Sequence, residues 1–261
     1  MESQEFQLPE PDVRRLVCIL GEVAAMKPDP DAQRICLMNS LAALLYTDTW
    51  IWGVAPQLDP GKQPVYLYRH TAGFDQNRMS QFLAAVEHPD CGEMTAPLAQ
   101  AMISAGSQVT RDLAQIVTPE RYAVSPAKPL WEAAGIGPIL ITLRPVPGYG
   151  ISCIGFYRPV GAAMFTARDS LIAHITLGEV PLLHEAGMPH ASSRTLPQLP
   201  PRCRLIINQL VHGMSRKEIA DHLGLSVNTV YGYTKIIFKH FEVHTQSELI
   251  ARFTTGDGRN R

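Results

Sequence analysis

The chain has 261 residues, 46% of them hydrophobic, with 23 basic and 24 acidic side chains. That length suits two domains and that apolar content a buried core, while no run of about 18 apolar residues offers a membrane span. Five scattered cysteines without a C-x-x-C spacing exclude a disulfide scaffold and a zinc site and suit a reduced cytoplasm; the polar start MESQEFQLPEPD does not fit a secretory leader.

In chain order, PDVRRLVCILGEVAAM spaces Val13, Leu16, Val17, Leu20 and Val23 as one helical face, with Pro11 in the tolerated first turn. DAQRICLMNSLAALLY repeats the period through Ile35, Leu37, Met38, Leu41, Leu44 and Leu45. TWIWGVA and PVYLYRH, rich in aromatic and branched residues, predict two strands around the turn-forming DPGKQ. Helical patterns return over Arg78–Glu87 and Met94–Ile103, and more faintly over Arg111–Ile116; the HPDCGE stretch before Met94, with His88 and Cys91, is expected to be a surface turn. PILITLRPV and YGISCIGFYR flank PGYG as a hairpin. A closing helix follows, with Thr166 as cap and Asp169 three residues on, its face expected to carry Leu171, Ile172, Ile175 and Leu182.

Helices, a strand pair, helices, a second pair and a last helix predict an α+β domain over residues 1–186. Pro, Ser and Gly then gather and periodicity is lost over 187–198, a linker. Residues 199–255 form a second, all-α domain of four helices, with 256–261 as a tail. The charge divides between them: residues 196–261 hold 9 basic and 5 acidic side chains, and residues 1–195 hold 14 and 19. A basic module on an acidic body suits a polyanionic partner for the module.

Within that module, Ser215 and Glu218 have the spacing of a capping box, and Ile219, Ala220 and Leu223 line one face of the helix it opens. Gly224 suits a helix stop, Leu225 plugs the turn, and Ser226 caps a second helix whose inner stripe is Val230, Tyr233, Ile237 and Phe241. A small Ala220 where the helices cross completes the packing pattern of a helix-turn-helix. Ile206, Ile207, Leu210 and Val211 supply a supporting helix before it, and Thr245 with Glu248 opens another after it.

The motifs L-x-P-R from Leu199, G-x-S-x-K-E-I-A from Gly213 and L-x-L-S-x-x-T-V from Leu223 resemble the C-terminal DNA-binding domain of LuxR/NarL-type transcription factors. Tyr231, Tyr233, Glu242 and Gln246 depart from that pattern, replacing Lys, His, Gly and Arg respectively. ISCIGFYRPVGAAMFTARDSLIAHI and RDLAQIVTPERYAVSP in the first domain are similar to GAF/PAS-like sensory domains of bacterial regulators. The resemblance implies a bacterial transcriptional regulator without enzymatic activity. It would bind double-stranded DNA as a homodimer, with RNA polymerase as a candidate partner and the cytoplasm as its place.

Turning Val230, Tyr233 and Ile237 inward points Asn228, Tyr231, Gly232 and Lys235 outward, toward the major groove in this kind of domain. Asn can pair both edges of adenine, and Lys can reach guanine or a phosphate. Arg216, Lys217, Thr229 and Lys239 are placed for phosphates. Gly232 is either a tolerated surface glycine or a point of close backbone approach. On the strands of the first domain, Trp50, Trp52, Tyr66, Tyr68 and His70 either line a pocket for a small-molecule effector or fill the core. No cofactor is implied: phosphoacceptor spacing, G-x-S-x-G, a Walker loop and a metal-spaced His pair are all missing from the sequence. The rival reading is a protein-interaction adaptor whose helical tail docks a protein.

Overall fold

The computed structural model describes residues 7–55, 68–147, 150–185, 201–211, 213–223, 225–241 and 243–254. The linker, the tail, Tyr66, Gly224 and Glu242 lie outside the described residues.

The first domain is built on a five-stranded antiparallel sheet. Its strands are β1 (Thr49–Ala55), β2 (Tyr68–Ala72), β3 (Val109–Asp112), β4 (Ile139–Val146) and β5 (Gly150–Tyr157), in the order β2-β1-β5-β4-β3. Both predicted strand pairs form, with Trp52 opposite His70 and Leu143 opposite Cys153. Arg111 belongs to β3 at the sheet edge rather than to a helix. Asp112 ends that strand and caps the short α5 (Leu113–Ile116) through a box with Gln115. A four-residue edge strand is too short to show a period of two, which is why the faint helical signal prevailed.

Helices cover both faces. On one lie α1 (Glu10–Ala24), α2 (Pro30–Leu44), α8 (Ala167–Gly178) and α9 (Pro181–Glu185). Trp50, Trp52, Leu140, Ile154 and Phe156 meet Leu16, Ile19, Leu37, Leu41, Ile172 and Leu177 there in one core. On the other lie α3 (Gln76–Glu87), α4 (Pro89–Ala105), α6 (Pro119–Ala123) and α7 (Lys128–Ala133), around Ile51, Phe82, Met94, Trp131, Ile139 and Tyr157. HPDCGE is not a surface turn but the start of α4: the His88 ring accepts from the Asp90 N–H, and Cys91 is buried.

Burial corrects three helix faces. On α1 the inward residues are Asp12, Leu16, Ile19 and Val23, while Val13 and Val17 are exposed. On α2, Ile35 points out. The Thr166–Asp169 box forms, but α8 buries Ile172, Ala173, Thr176 and Leu177; Ile175 is exposed, and Leu182 belongs to α9 and is exposed too. Asp169 also ties the helix to the sheet. Arg158, 7% exposed at the end of β5, bonds Asp169 at 3.1 Å and the carbonyls of Leu45, Ala163 and Met164, while Arg168 reaches from Asp169 to Asp12 of α1. A buried guanidinium is tolerable when its donors are filled in this way.

The C-terminal residues form α10 (Pro201–Val211), α11 (Arg216–Leu223), α12 (Val227–His240) and α13 (Gln246–Thr254). Cys203, Ile206, Leu210, Ile219, Ala220, Val230, Ile237 and Leu249 make their core, which Val54 of β1 and Val146 of β4 join. Among the described residues no helix is long and apolar enough to cross a membrane.

Candidate nucleic-acid interface

Local chemistry fixes α11 and α12. The Ser215 N–H donates to Glu218 Oε2 at 2.7 Å and the Glu218 N–H to Ser215 Oγ at 3.3 Å, closing the capping box. These bonds hold the Glu218 carboxyl below its ordinary range. The Leu225 N–H returns to the Ala220 carbonyl at 2.9 Å, and Ser226 Oγ accepts from the Thr229 N–H at 3.1 Å, so the turn between the helices is bonded at both ends. Val230, Thr234 and Ile237 are the buried positions of α12, which packs on both α10 and α11. Thr234 is accommodated because its hydroxyl donates to the Val230 carbonyl.

The opposite side of α12 is open. Asn228, Thr229, Tyr231, Gly232, Lys235 and Lys239 are all exposed, Tyr231 at 58%. Positions 228, 231, 232, 235 and 239 follow helical spacing, so they form one stripe. A Cβ on Gly232 would meet nothing within 4 Å, so no contact inside the protein calls for glycine there. Lys217 on α11 is exposed as well.

Arg216 differs from a free phosphate ligand. Its guanidinium lies 5.3 Å from the Tyr231 ring centroid and 6.0 Å from that of Phe238, coupling α11 to the stripe of α12. Its Nε is buried without a hydrogen-bond partner. Gln246 has a structural role that sequence reasoning missed: its amide donates to the carbonyls of Leu210 (2.9 Å) and Met214 (3.0 Å), capping the end of α10. A long-range bond of this kind has no sequence signal.

The aromatic strand residues of the first domain divide differently from the expectation. Trp50 and Trp52 lie in the core under α1, α2 and α8, their indoles donating to Asn39 Oδ1 (3.1 Å) and Ser152 Oγ (3.0 Å). His70 sits on an outer strand, 3.0 Å from Asp31 Oδ1, and Tyr68 opens the same strand. The cavity, of about 170 Å³, is on the other face of the sheet, between the strands and α3, α4 and α7. Ile51, Phe82, Met94, Leu98, Trp131 and Tyr157 are among its walls. Gly155 helps shape it, because a Cβ there would collide with the Tyr157 hydroxyl. Burial pushes the thiols of Cys91 and Cys153 up to about 11 and about 12, keeping them protonated and poor nucleophiles.

Residues 197–253 match the family of bacterial regulatory proteins, luxR family. No curated protein matches the chain. Among solved structures, Escherichia coli SdiA is similar at 16% identity with a TM-score of 0.44, over 92% of this chain and 95% of that one. SdiA in complex with octanoyl-rac-glycerol is similar at 14% identity with a TM-score of 0.45, over 95% and 96%. The matched segment carries the functional class: residues 197–253 are a LuxR-type DNA-binding module, and through it the chain is a DNA-binding transcriptional regulator.

Proposed function

We propose that α12 lies in the major groove of duplex DNA, with Asn228, Tyr231 and Lys235 facing base edges and Gly232 letting the backbone approach. Lys217, Thr229 and Lys239 meet phosphates, and Arg216 braces Tyr231. The observation that carries this is the open stripe of α12, exposed from Asn228 to Lys239 while its opposite side is locked into the core. One module of this size makes few contacts, so two copies bind two half-sites as a homodimer.

The first domain is a GAF/PAS-like sensory module in this reading, and its effector is a small, mainly apolar molecule held in the cavity beside Trp131. The protein works in the cytoplasm, where the DNA and RNA polymerase are. The experiment that tests the DNA reading is a salt titration of duplex binding by the full-length protein. Release of counterions from the phosphates makes affinity fall steeply with salt. An absence of duplex binding at low salt would favour the adaptor reading.

A further inference from the structure

We propose that Ile236 is a specificity-determining residue: its side chain meets the 5-methyl group of a thymine in the major groove and so selects one base pair in each half-site. This rests on reading α12 as the helix that enters the groove, and it gives a sequence preference to a residue that polar contacts leave out.

The position of Ile236 on α12 carries the inference. Val230, Thr234 and Ile237 turn inward, and Tyr233 and Phe238 pack against the same core. Ile236 is 45% exposed, on the other side of the helix. At 3.6 residues per turn it stands about 40° around the axis from Gly232 and about 60° from Lys239, and both of those residues are exposed. A branched apolar side chain therefore borders the stripe that carries Asn228, Gly232, Lys235 and Lys239. Helical side chains lean toward the N-terminus, over the preceding turn. For Ile236 that turn holds Gly232, where a Cβ would meet nothing within 4 Å. The pair makes a shallow notch, walled by Ile236 and floored by bare backbone, and it opens toward the half of α12 that leads into the groove.

Chemistry selects the occupant. In the major groove thymine presents a methyl group, while guanine, adenine and cytosine present donors and acceptors. Isoleucine can satisfy none of these. Against a polar base edge it would strip water from groups it cannot bond, whereas against thymine it buries a methyl group. The discrimination thus has an attractive and a repulsive part. Lys235 and Lys239 flank the notch, so a second copy of the same face would set ammonium against ammonium, while a polyanion neutralises both.

A uracil scan tests this with the full chain. In the duplex site that the wild-type protein selects, each thymine is replaced in turn by deoxyuridine, which lacks only the methyl group. Wild type and Ile236→Ala are compared by fluorescence anisotropy. Wild type should lose about fourfold in affinity at one thymine of each half-site, the worth of one buried methyl group. Ile236→Ala should bind the thymine duplex more weakly and be indifferent to uracil at that position. It should also melt no lower than wild type, since alanine is the better helix former at an exposed site. If uracil costs the two proteins the same at every position, the proposal is overturned while the DNA reading stands. That result together with an altered oligomeric state of Ile236→Ala without DNA would give the side chain to a second copy instead. Failure of wild type to bind any duplex would sink the DNA reading itself, and the inference with it.

Discussion

The Arg216 guanidinium lies over the Tyr231 ring, 5.3 Å from its centroid, so a cation on the first helix of the motif is oriented by an aromatic on the second. Such a contact contributes about 0.5–1 kcal/mol at an exposed site. It also holds the Tyr231 ring across the turn. Tyr231→Phe should keep the stacking and change duplex affinity only if the hydroxyl touches DNA. Tyr231→Ala should lose the ring and release Arg216, weakening binding by about 1–3 kcal/mol. Fluorescence anisotropy with a labelled duplex separates the two variants, and equal affinities for Phe and Ala would remove the ring from the interface.

Gly232 should behave in opposite directions in two assays. In the free protein Gly232→Ala fills open space and should stabilise α12 by about 1 kcal/mol. On DNA the added methyl group stands where the backbone is proposed to approach, and affinity should fall. Chemical denaturation and duplex binding on the same sample measure both. Stabilisation without loss of affinity would make Gly232 an ordinary surface residue.

Lys217→Ala and Lys239→Ala should each make the slope of log affinity against log salt shallower by about 1, because each proposed phosphate contact releases about one counterion. Lys235→Ala, at a proposed base edge, should instead relax sequence preference and leave the slope nearly unchanged. Binding isotherms at several salt concentrations on two duplexes distinguish these roles.

Stability of the first domain should fall in mild acid because of His184. The ring is buried, its Nε2 against the Leu177 carbonyl (2.9 Å) and its Nδ1 against Ser152 Oγ (2.8 Å), and burial pushes its pKa down to about 4. Unfolded, the ring titrates near 6.5. The unfolded chain therefore binds the extra proton first as pH falls. The stabilisation is complete above about pH 6.5 and is lost progressively toward pH 4, amounting to about 3 kcal/mol. Denaturation between pH 7 and 4.5 checks this, and His184→Gln should flatten the profile. An unchanged slope in that variant would assign the acid sensitivity elsewhere.

An apolar effector in the cavity should alter Trp131 fluorescence, since that indole lines the cavity while Trp50 and Trp52 lie in the other core layer. Met94→Trp, which fills the space, should abolish ligand-induced thermal stabilisation. Stabilisation that survives this substitution would place the ligand elsewhere.

Features held by neighbours in sequence were legible before the fold was known. Both capping boxes, at Ser215 with Glu218 and at Thr166 with Asp169, form as their spacing predicts. The hairpin partners of β4 and β5 and the stripe of α12 follow from period alone. The side of the sheet taken by Trp50 and Trp52 was not legible. Every residue of β1 is buried, so no alternation marks one face as outer. The outward turn of Val13 and Val17 was hidden by the same cause in reverse, because apolar residues occupy both the core side and the adjacent side of α1. Gln246 on the Leu210 carbonyl of α10 and Arg216 on Tyr231 join elements brought together only by the fold.

The most direct test is selection of bound sequences from random duplexes with the full-length protein and its Asn228→Ala variant. Wild type should enrich two half-sites in twofold arrangement, and the variant should lose its preference for one base in each while keeping the rest. Enrichment of the same sequences by both proteins, or of none by wild type, would contradict the placing of the outer side of α12 against base edges.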